Sequence, residues 1–196
     1  MPYPMQSSID RNPPLSLRKA TKEDSGRIAD LVNSAYRGDS SSGGWTNEAE
    51  LLDGNRINQE EVRTLIEAER SMILLCMDGT EIIGSVHLRK MDSAAYLGLF
   101  VVKPNLQGMG IGKRFMQAAE NIAQKEWGIA RMSMTVINRR QELISYYERR
   151  GYRRTGQISP FPANAGASIP RVEGLQLEVL EKDLEAEATS KDVGSA

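Results

Sequence analysis

The sequence predicts a mixed α/β domain, and three observations carry this prediction. Two apolar runs flank Asp78-Gly79, a dipeptide that is a strong signal for a β-hairpin. Segments with a helical spacing of apolar residues alternate with strand-like apolar runs. A glycine-rich loop at 104–114 joins one such strand to a run of good helix formers. Hairpins and crossovers together indicate a mixed sheet with helices packed against it.

The first part of the chain predicts one short strand followed by helices. Residues 15–20 alternate leucine with polar residues, as a half-exposed strand does. Apolar residues then recur at i, i+3, i+4 and i+7, which predicts an amphipathic helix with the buried positions Ile28, Leu31, Val32 and Ala35. Residues 37–45 are rich in glycine and serine and predict a loop. A helical turn is expected near residues 47–53, and Asn58 is positioned to cap a further helix.

The rest of the chain alternates strands and helices. Gly128 and Gly151 each follow a helical segment, where glycine is the preferred terminator. We predict strands at 71–77, 81–89, 94–102, 130–137, 152–158 and 175–182, and helices at 113–127 and 138–150. For the domain organisation we expect a loose tail at 1–14, a single domain at 15–184 and a second loose tail at 185–196.

Composition excludes several classes of protein. The formal net charge is −1, so the sequence lacks the basic excess of a nucleic-acid-binding or membrane-surface protein. Cys76 is the one cysteine and sits in an apolar strand, which favours a core position over a nucleophile. No His/Cys cluster has the spacing of a metal site. With no apolar leader segment and no disulfide, we expect a cytoplasmic protein that binds neither nucleic acid nor membrane.

The glycine loop predicts an anion site. It precedes a helix, whose first N–H groups and positive dipole end attract a phosphate, and Lys113 and Arg114 add positive charge. A Walker A loop would need glycine at position 107 and serine or threonine at position 114, where this chain has Gln107 and Arg114. The glycines at 108, 110 and 112 also miss the G-x-G-x-x-G spacing of a dinucleotide-binding loop.

The loop resembles the acetyl-CoA diphosphate loop of the GNAT N-acetyltransferase superfamily. Gln107, Gly110 and Gly112 match Q-x-x-G-x-G after a V-x-P strand exit at Val102 and Pro104. The segment "LISYYERRGY" at 143–152 resembles the late helix of the same family, and "LRKATKEDSGRIADLVNSAYR" resembles its first strand and helix. The resemblance covers about residues 15–183. It implies a mostly antiparallel sheet of about seven strands, splayed between its two central strands and flanked by helices on both faces.

The resemblance also implies the activity and the residues that bind the cofactor. A GNAT enzyme transfers the acetyl group of acetyl-CoA to an amine by direct attack in a ternary complex. The central strand would pair with the pantetheine arm through its backbone, and the loop would hold the diphosphate. The residues carried over for binding acetyl-CoA are Phe100, Val101, Val102, Gln107, Gly108, Met109, Gly110, Ile111, Gly112, Lys113, Asn138 and Tyr147. Of Tyr146 and Tyr147, one should face the cofactor while the other packs elsewhere.

Catalytic groups follow from the chemistry of the reaction. Tyr147 precedes Gly151 by four residues, where the family often has its catalytic tyrosine, and a phenol with a pKa of about 10 can protonate a leaving thiolate. The base is left open, because the central strand lacks the glutamate that many members carry. His87, Glu48, Glu50 and Tyr96 are candidates for this base, and a chain of water molecules is a further alternative.

The acceptor is expected to be a small-molecule amine, bound between residues 37–57 and 159–174. Trp45 and Phe161 would form apolar walls and Glu50 would attract the cationic amine. Two alternatives stay open: a peptide or protein amine as acceptor, and a non-catalytic sensor that binds acyl-CoA without turnover. A homodimer is also left open as the assembly.

Overall fold

The computed structural model describes residues 15–37, 48–162 and 168–185 of the chain. In chain order the elements are β1 (Ser16–Lys19), α1 (Ser25–Arg37), β2 (Leu52–Asp53), α2 (Gln59–Glu67), β3 (Ser71–Asp78), β4 (Glu81–Lys90), β5 (Ala94–Val102), α3 (Ile111–Trp127), β6 (Arg131–Ile137), α4 (Gln141–Glu148), β7 (Arg153–Pro160), β8 (Ile169–Pro170) and β9 (Gln176–Asp183). Seven strands form one sheet in the order β1-β3-β4-β5-β6-β9-β7, and β2 pairs with β8. Within the large sheet, β5 and β6 are parallel and the other described pairs are antiparallel. This confirms the predicted fold class.

Helices cover both faces of the sheet, because its strands are apolar on both sides. Along β3, the side chains of Met72, Leu74 and Cys76 join the cluster that includes residues of α3 and α4. The alternating residues Ile73 and Leu75 join the opposite cluster, which contains the buried face of α1. Each large apolar side chain buried in this way contributes roughly 1.5–3 kcal/mol to folding.

The helix ends follow the predicted capping chemistry. The Asn58 side chain accepts a hydrogen bond of 2.8 Å from the backbone N–H of Glu61, and the Glu61 carboxylate accepts one of 2.7 Å from the N–H of Asn58. This reciprocal capping box starts α2. Gly128 ends α3 with φ +63°, a left-handed conformation that favours glycine. The four predicted buried positions of α1 are buried.

Three differences from the sequence-based expectations concern segment ends and tails. The expected helical turn near 47–53 is a turn at 49–51 followed by β2, which pairs with β8 far along the chain. Helix α3 begins at Ile111, two residues before its predicted start at 113. The expected tails at 1–14 and beyond residue 185 lie outside the described residues. Among the helices that the structure describes, none combines the length and apolar character needed to cross a membrane.

Candidate active site

The central feature is a gap between the parallel strands β5 and β6. Their pairing covers only Ala94–Tyr96 on β5 and Arg131–Ser133 on β6, although each strand continues beyond these residues. Past this point β5 stays paired with β4, while β6 stays paired with β9. The sheet therefore opens into a wedge at the carboxyl ends of β5 and β6, as the predicted splay requires.

A β-bulge shapes β5 at the gap. The register between β4 and β5 shifts so that Ser85 lies opposite Val101 and His87 lies opposite Gly98, which leaves an extra residue on β5. Leu99 in this bulge has φ +47°, an uncommon backbone conformation for a branched side chain. Bulges of this kind bend a strand and redirect its backbone groups. Here the bend directs the Phe100 carbonyl toward the Tyr36 hydroxyl, which donates a hydrogen bond of 3.2 Å to it.

The backbone beyond the bulge presents donors to the gap. The N–H of Lys103 bonds to the Ile83 carbonyl on the β4 side, so the alternate residues Phe100 and Val102 point their backbone groups away from β4. The carbonyl of Phe100 accepts from Tyr36, and the carbonyl of Val102 accepts a bond of 3.0 Å from the Gln107 side chain. The N–H groups of Phe100 and Val102 are therefore directed at the gap.

One cavity, of about 300 Å³, lies between the glycine loop and α4, and we call it the loop cavity. It is lined by Phe100, Val102, Gln107, Gly108, Gly110, Gly112, Lys113, Leu143, Tyr146, Tyr147, Arg149 and Arg150. These include three cations and no carboxylate. With the N-terminus of the 17-residue helix α3 beside them, the described residues of this cavity suit an anion.

At two positions of this site the local structure requires glycine. Gly110 is the N-cap of α3 with φ +78°, where a side chain would strain the backbone. At Gly112 a Cβ atom would lie 2.9 Å from the Tyr146 hydroxyl oxygen, closer than such atoms can approach. The Tyr146 ring is held by Arg150, whose guanidinium carbon lies 3.2 Å from the ring centroid. The start of α3 therefore approaches Tyr146 on α4 closely because position 112 has no side chain.

A second cavity, of about 210 Å³, lies on the other side of the gap, and we call it the acceptor cavity. It is lined by Tyr36, Glu48, Leu52, Arg56, Tyr96, Leu97, Gly98, Leu99, Phe100, Met134, Thr135, Val136, Ile137, Leu143, Tyr147, Phe161, Pro162, Ser168 and Leu177. The β2–β8 pair joins two distant segments of this wall. Burial, with Glu48 nearby, raises the pKa of Tyr36 to about 12, so this phenol stays protonated.

Tyr147 lies where the two cavities meet. It lines both, is 6% exposed and contacts the edge of the Tyr146 ring and the Tyr152 ring. Burial raises the pKa of Tyr147 well above its usual value, and the neighbouring phenols of Tyr36 and Tyr146 add to this. Its hydroxyl is therefore a proton donor across the neutral range.

Glu48 is buried in the acceptor cavity and paired. Its Oε2 atom lies 2.9 Å from Nη1 of Arg37, and both side chains are about 10% exposed or less. Arg37 also donates to the hydroxyl of Ser168, at 3.1 Å, and to the Gly54 carbonyl, at 3.0 Å. The ion pair thus connects the end of α1 with both segments that close the acceptor cavity.

Several predicted cofactor-binding residues lie away from the loop cavity. Asn138 is hydrogen-bonded to Gln176 through both backbone and side chain and lines neither cavity. Val101 is fully buried in the cluster on the α1 side. Met109 is 66% exposed, and Ile111 packs against the core beneath α3. Within the described residues, the structure brings the other predicted cofactor-binding residues together around the loop cavity.

Some of the predicted catalytic and acceptor-binding residues line the acceptor cavity, and others do not. Glu48 and Phe161 line the acceptor cavity, whereas Glu50 is exposed and outside it. His87 lines neither cavity, and its Nε2 atom lies 2.9 Å from the Ser71 hydroxyl. Burial, with Arg89 nearby, lowers the pKa of His87 to about 4. Trp45 lies outside the described residues.

Sequence reasoning missed several residues that line the cavities. Arg149 and Arg150 line the loop cavity, and both Tyr146 and Tyr147 do so, although only one tyrosine was expected there. The arginine pair directly after the tyrosine-containing helix was a usable signal for an anion site. Tyr36 and Arg56 line the acceptor cavity, and no local pattern marked them, because their positions depend on the packing of α1 and the segment before α2.

Comparisons with known proteins identify the family. A family model described as "Acetyltransferase (GNAT) family" matches residues 31–152. A comparison with curated proteins found no match. Among solved structures, an N-acetyltransferase from Staphylococcus aureus Mu50 is similar, with a TM-score of 0.64, 11% identity and coverage of 86% of this chain and 97% of that chain.

Two further solved structures share the fold. A GNAT-family acetyltransferase from Streptococcus pneumoniae has a TM-score of 0.60 and 18% identity, and covers 87% of this chain and 99% of its own. A spermidine N-acetyltransferase SpeG chimera from Vibrio cholerae and hSSAT has a TM-score of 0.62 and 15% identity. The match covers 86% of this chain and 95% of that chain. The family model spans more than half of the sequence, so the chain belongs to the GNAT acetyltransferase family.

Proposed function

We propose that this member of the GNAT acetyltransferase family transfers the acetyl group of acetyl-CoA to the primary amine of a small molecule, by direct attack in a ternary complex. The observation that carries this proposal is the meeting of two cavities at Tyr147, in the gap between β5 and β6. Acetyl-CoA supplies a thioester that is already activated, so the chain needs no covalent intermediate. Its residues must position both reactants, accept a proton from the amine and return one to the thiolate.

The loop cavity fits the diphosphate of acetyl-CoA. Gly112 leaves its position without a side chain. The N–H groups at the start of α3 and the cations Lys113, Arg149 and Arg150 provide hydrogen-bond donors and positive charge around the cavity. Gln107 fastens the loop to β5 through Val102. We assign the anion-binding role to the loop backbone and to these cations.

The gap fits the extended arm between the diphosphate and the thioester. The N–H groups of Phe100 and Val102 face the gap. They would donate hydrogen bonds to amide oxygens of the arm, which would lie beside β5 as an additional strand does. The N–H of Phe100 lies beside both cavities, so it is our candidate donor to the thioester carbonyl oxygen, where negative charge develops.

Tyr147 is our candidate general acid. Its buried phenol stays protonated at neutral pH and lines both cavities, so it can reach a sulfur held between them. Glu48 is our candidate to receive the amine and, directly or through one water, its proton. Among the described residues that line the acceptor cavity, Glu48 is the one with a carboxylate. One oxygen of this carboxylate forms an ion pair with Arg37. His87 receives no role in this proposal, because it is bonded to Ser71 and lines neither cavity.

The size of the acceptor cavity favours a small acceptor over a peptide. The β2–β8 pair and Phe161 form a wall on the acceptor side, where a peptide substrate would need an open groove. A sensor that binds acyl-CoA without turnover would have no use for a protonated phenol at the junction. The expectations of a cytoplasmic location and of a homodimer stay predictions.

Thiol release and calorimetry test the proposal together. The protein is incubated with acetyl-CoA and a pool of small primary amines while free thiol is measured, and the binding of CoA is measured separately. We expect binding and amine-dependent thiol release. Tight binding without release from any amine would support the sensor instead. Absence of binding would contradict the assignment of the loop cavity.

A further inference from the structure

We propose that the acceptor is an apolar α-amino acid, whose carboxylate is bound by Arg56 and whose amine is received by Glu48. This inference rests on the proposed function and specifies its substrate class. It comes from the charges and the apolar walls of the acceptor cavity. Among the described residues that line this cavity, Glu48 and Arg56 are the two that carry a charge.

The charge of Glu48 is compensated, whereas that of Arg56 is not. Glu48 is paired at 2.9 Å with Arg37, a buried side chain behind the cavity wall. Arg56 forms no ion pair with any carboxylate in the described part of the chain, and it is half-buried. A half-buried guanidinium without a counter-ion is suited to a carboxylate, which it can bind with two parallel hydrogen bonds.

The surroundings hold Arg56 in place. Its guanidinium carbon lies 5.7 Å from the centroid of the Tyr36 ring, and Tyr36 is itself anchored to the Phe100 carbonyl. The backbone N–H of Arg56 donates a hydrogen bond of 2.8 Å to the Asn33 side chain on α1. Arg56 is therefore fixed from both its backbone and its side chain at the wall of the acceptor cavity.

A second cation adds to the positive field. Arg140 lies near enough to oppose the rise in pKa at both Tyr36 and Tyr147. Its side chain is 8% exposed and forms an ion pair with Glu142, whose side chain is 54% exposed. A polyamine would carry several positive charges into this field, while an amino acid brings one positive and one negative charge.

The remaining wall favours an apolar body on the acceptor. The side chains of Leu52, Phe161 and Leu177 line the same cavity, together with Val136 and Leu143. In the reaction, the ammonium first loses one proton to Glu48 or its water, and the neutral amine nitrogen then forms the C–N bond with the thioester carbon. As the C–S bond breaks, the thiolate takes the proton of Tyr147. The second proton of the nitrogen is released as the amide forms and restores the Tyr147 hydroxyl. The carboxylate stays on Arg56 throughout, which orients the amine.

A matched set of acceptors tests this inference. Leucine, leucinamide, 3-methylbutylamine and spermidine are compared by kcat/KM for thiol release from acetyl-CoA. Leucine keeps the carboxylate that leucinamide neutralises and 3-methylbutylamine lacks. We expect leucine to be preferred over each of the others by about 10-fold or more, the scale of a charge-assisted hydrogen-bond pair.

Arg56→Gln separates recognition of the carboxylate from catalysis. This variant should raise the KM for leucine about 10-fold or more, and it should lower kcat/KM for leucine much more than kcat/KM for 3-methylbutylamine, which has no carboxylate. Arg56→Lys should retain part of the preference, because it keeps the charge and loses the fork geometry. Arg63→Gln is the control, since Arg63 is an exposed arginine on α2 outside the cavity.

Two results would overturn the inference while the proposed function stands: leucinamide or spermidine being acetylated as well as leucine, or Arg56→Gln slowing every amine equally. Calorimetry with the CoA-bound protein gives a second readout that needs no turnover, and leucine should bind more tightly than 3-methylbutylamine. Equal binding would contradict the role of Arg56. Failure of CoA to bind would instead contradict the proposed function itself.

Discussion

The hydroxyl groups of Tyr96 and Thr135 lie 3.0 Å apart, and this hydrogen bond bridges β5 and β6 where their backbone pairing ends. Tyr96 is the last residue of β5 that pairs with β6, and Thr135 lies two residues beyond Ser133, the last residue of β6 that pairs with β5. Both side chains line the acceptor cavity and neither lines the loop cavity. The bridge therefore limits the opening of the gap from the acceptor side.

Removing this hydrogen bond should alter the acceptor cavity and leave the loop cavity unchanged. Tyr96→Phe and Thr135→Val should each lower the free energy of unfolding by about 1 kcal/mol, because each leaves the other hydroxyl without its partner. The double variant should cost less than the sum of the two. Urea unfolding measures the three values, and CoA affinity should match wild type. Additive losses would show that the two hydroxyls do not interact.

Tyr147→Phe should lower kcat by about 10²-fold, because the thiolate loses its proton donor. The KM for acetyl-CoA should change little, since the aromatic ring remains. Tyr146→Phe is the matched control, because that ring lines the loop cavity but not the acceptor cavity. Steady-state kinetics of both variants give the comparison. Equal losses of kcat would mean that Tyr147 has no special role as an acid.

The pH dependence of kcat above pH 7 should reflect the raised pKa of the buried Tyr147 phenol. Because the pKa of Tyr147 is raised, its proton is retained to a higher pH than that of an exposed tyrosine. We therefore expect kcat to show no decline caused by loss of this proton between pH 7 and about 10, the usual pKa of tyrosine. A pH–rate profile of the wild type measures this. A decline within that range that disappears in Tyr147→Phe would contradict the expectation.

Gly112→Ala should weaken CoA binding and destabilise the fold. The new methyl group would meet the Tyr146 hydroxyl at 2.9 Å, and Arg150 restrains the ring from moving. Overpacking of this kind costs about 1–3 kcal/mol. The double variant Gly112→Ala/Tyr146→Phe should recover much of the loss, because it removes the oxygen that clashes. Met109→Ala, at an exposed loop position, controls for substitution in the loop; calorimetry and urea unfolding supply the measurements.

His87 should make the fold sensitive to mild acid. Its pKa is about 4 in the folded chain and 6.5 in its ordinary state, so the unfolded chain binds the proton first as pH falls. Stability is then lost as pH falls from about 6.5 through 4, by about 2–3 kcal/mol at pH 4.5. His87→Gln should flatten this dependence when unfolding is compared at pH 7 and pH 4.5. Asp24, whose pKa is about 2, loses its contribution only at lower pH.

The element order and the glycine loop were readable because they depend on local patterns. The Asp78-Gly79 dipeptide predicted the hairpin, and helical periodicity predicted the buried face of α1. Asn58 was predicted to cap α2 and Gly128 to end α3, as observed, whereas α4 ends at Glu148, before the predicted terminator Gly151. Each of these signals acts over a few residues, where the chain's own backbone chemistry decides the outcome.

Long-range packing decided which residues line the two cavities. His87 and Asn138 had suitable chemistry but face other partners, Ser71 and Gln176. Arg56 and Tyr36 had no local signal, yet the packing of α1 and of the segment before α2 brings them to the acceptor cavity.

The sequence by itself determined the order of the seven main-sheet strands and the four helices, the loop before α3 and the tyrosine on α4, but not the β2–β8 pair. Only the tertiary structure decided which side chains share a cavity with Tyr147. The physical reason is that β5 and β6 part after Tyr96, and the side chains that then meet across the gap come from elements far apart in the chain.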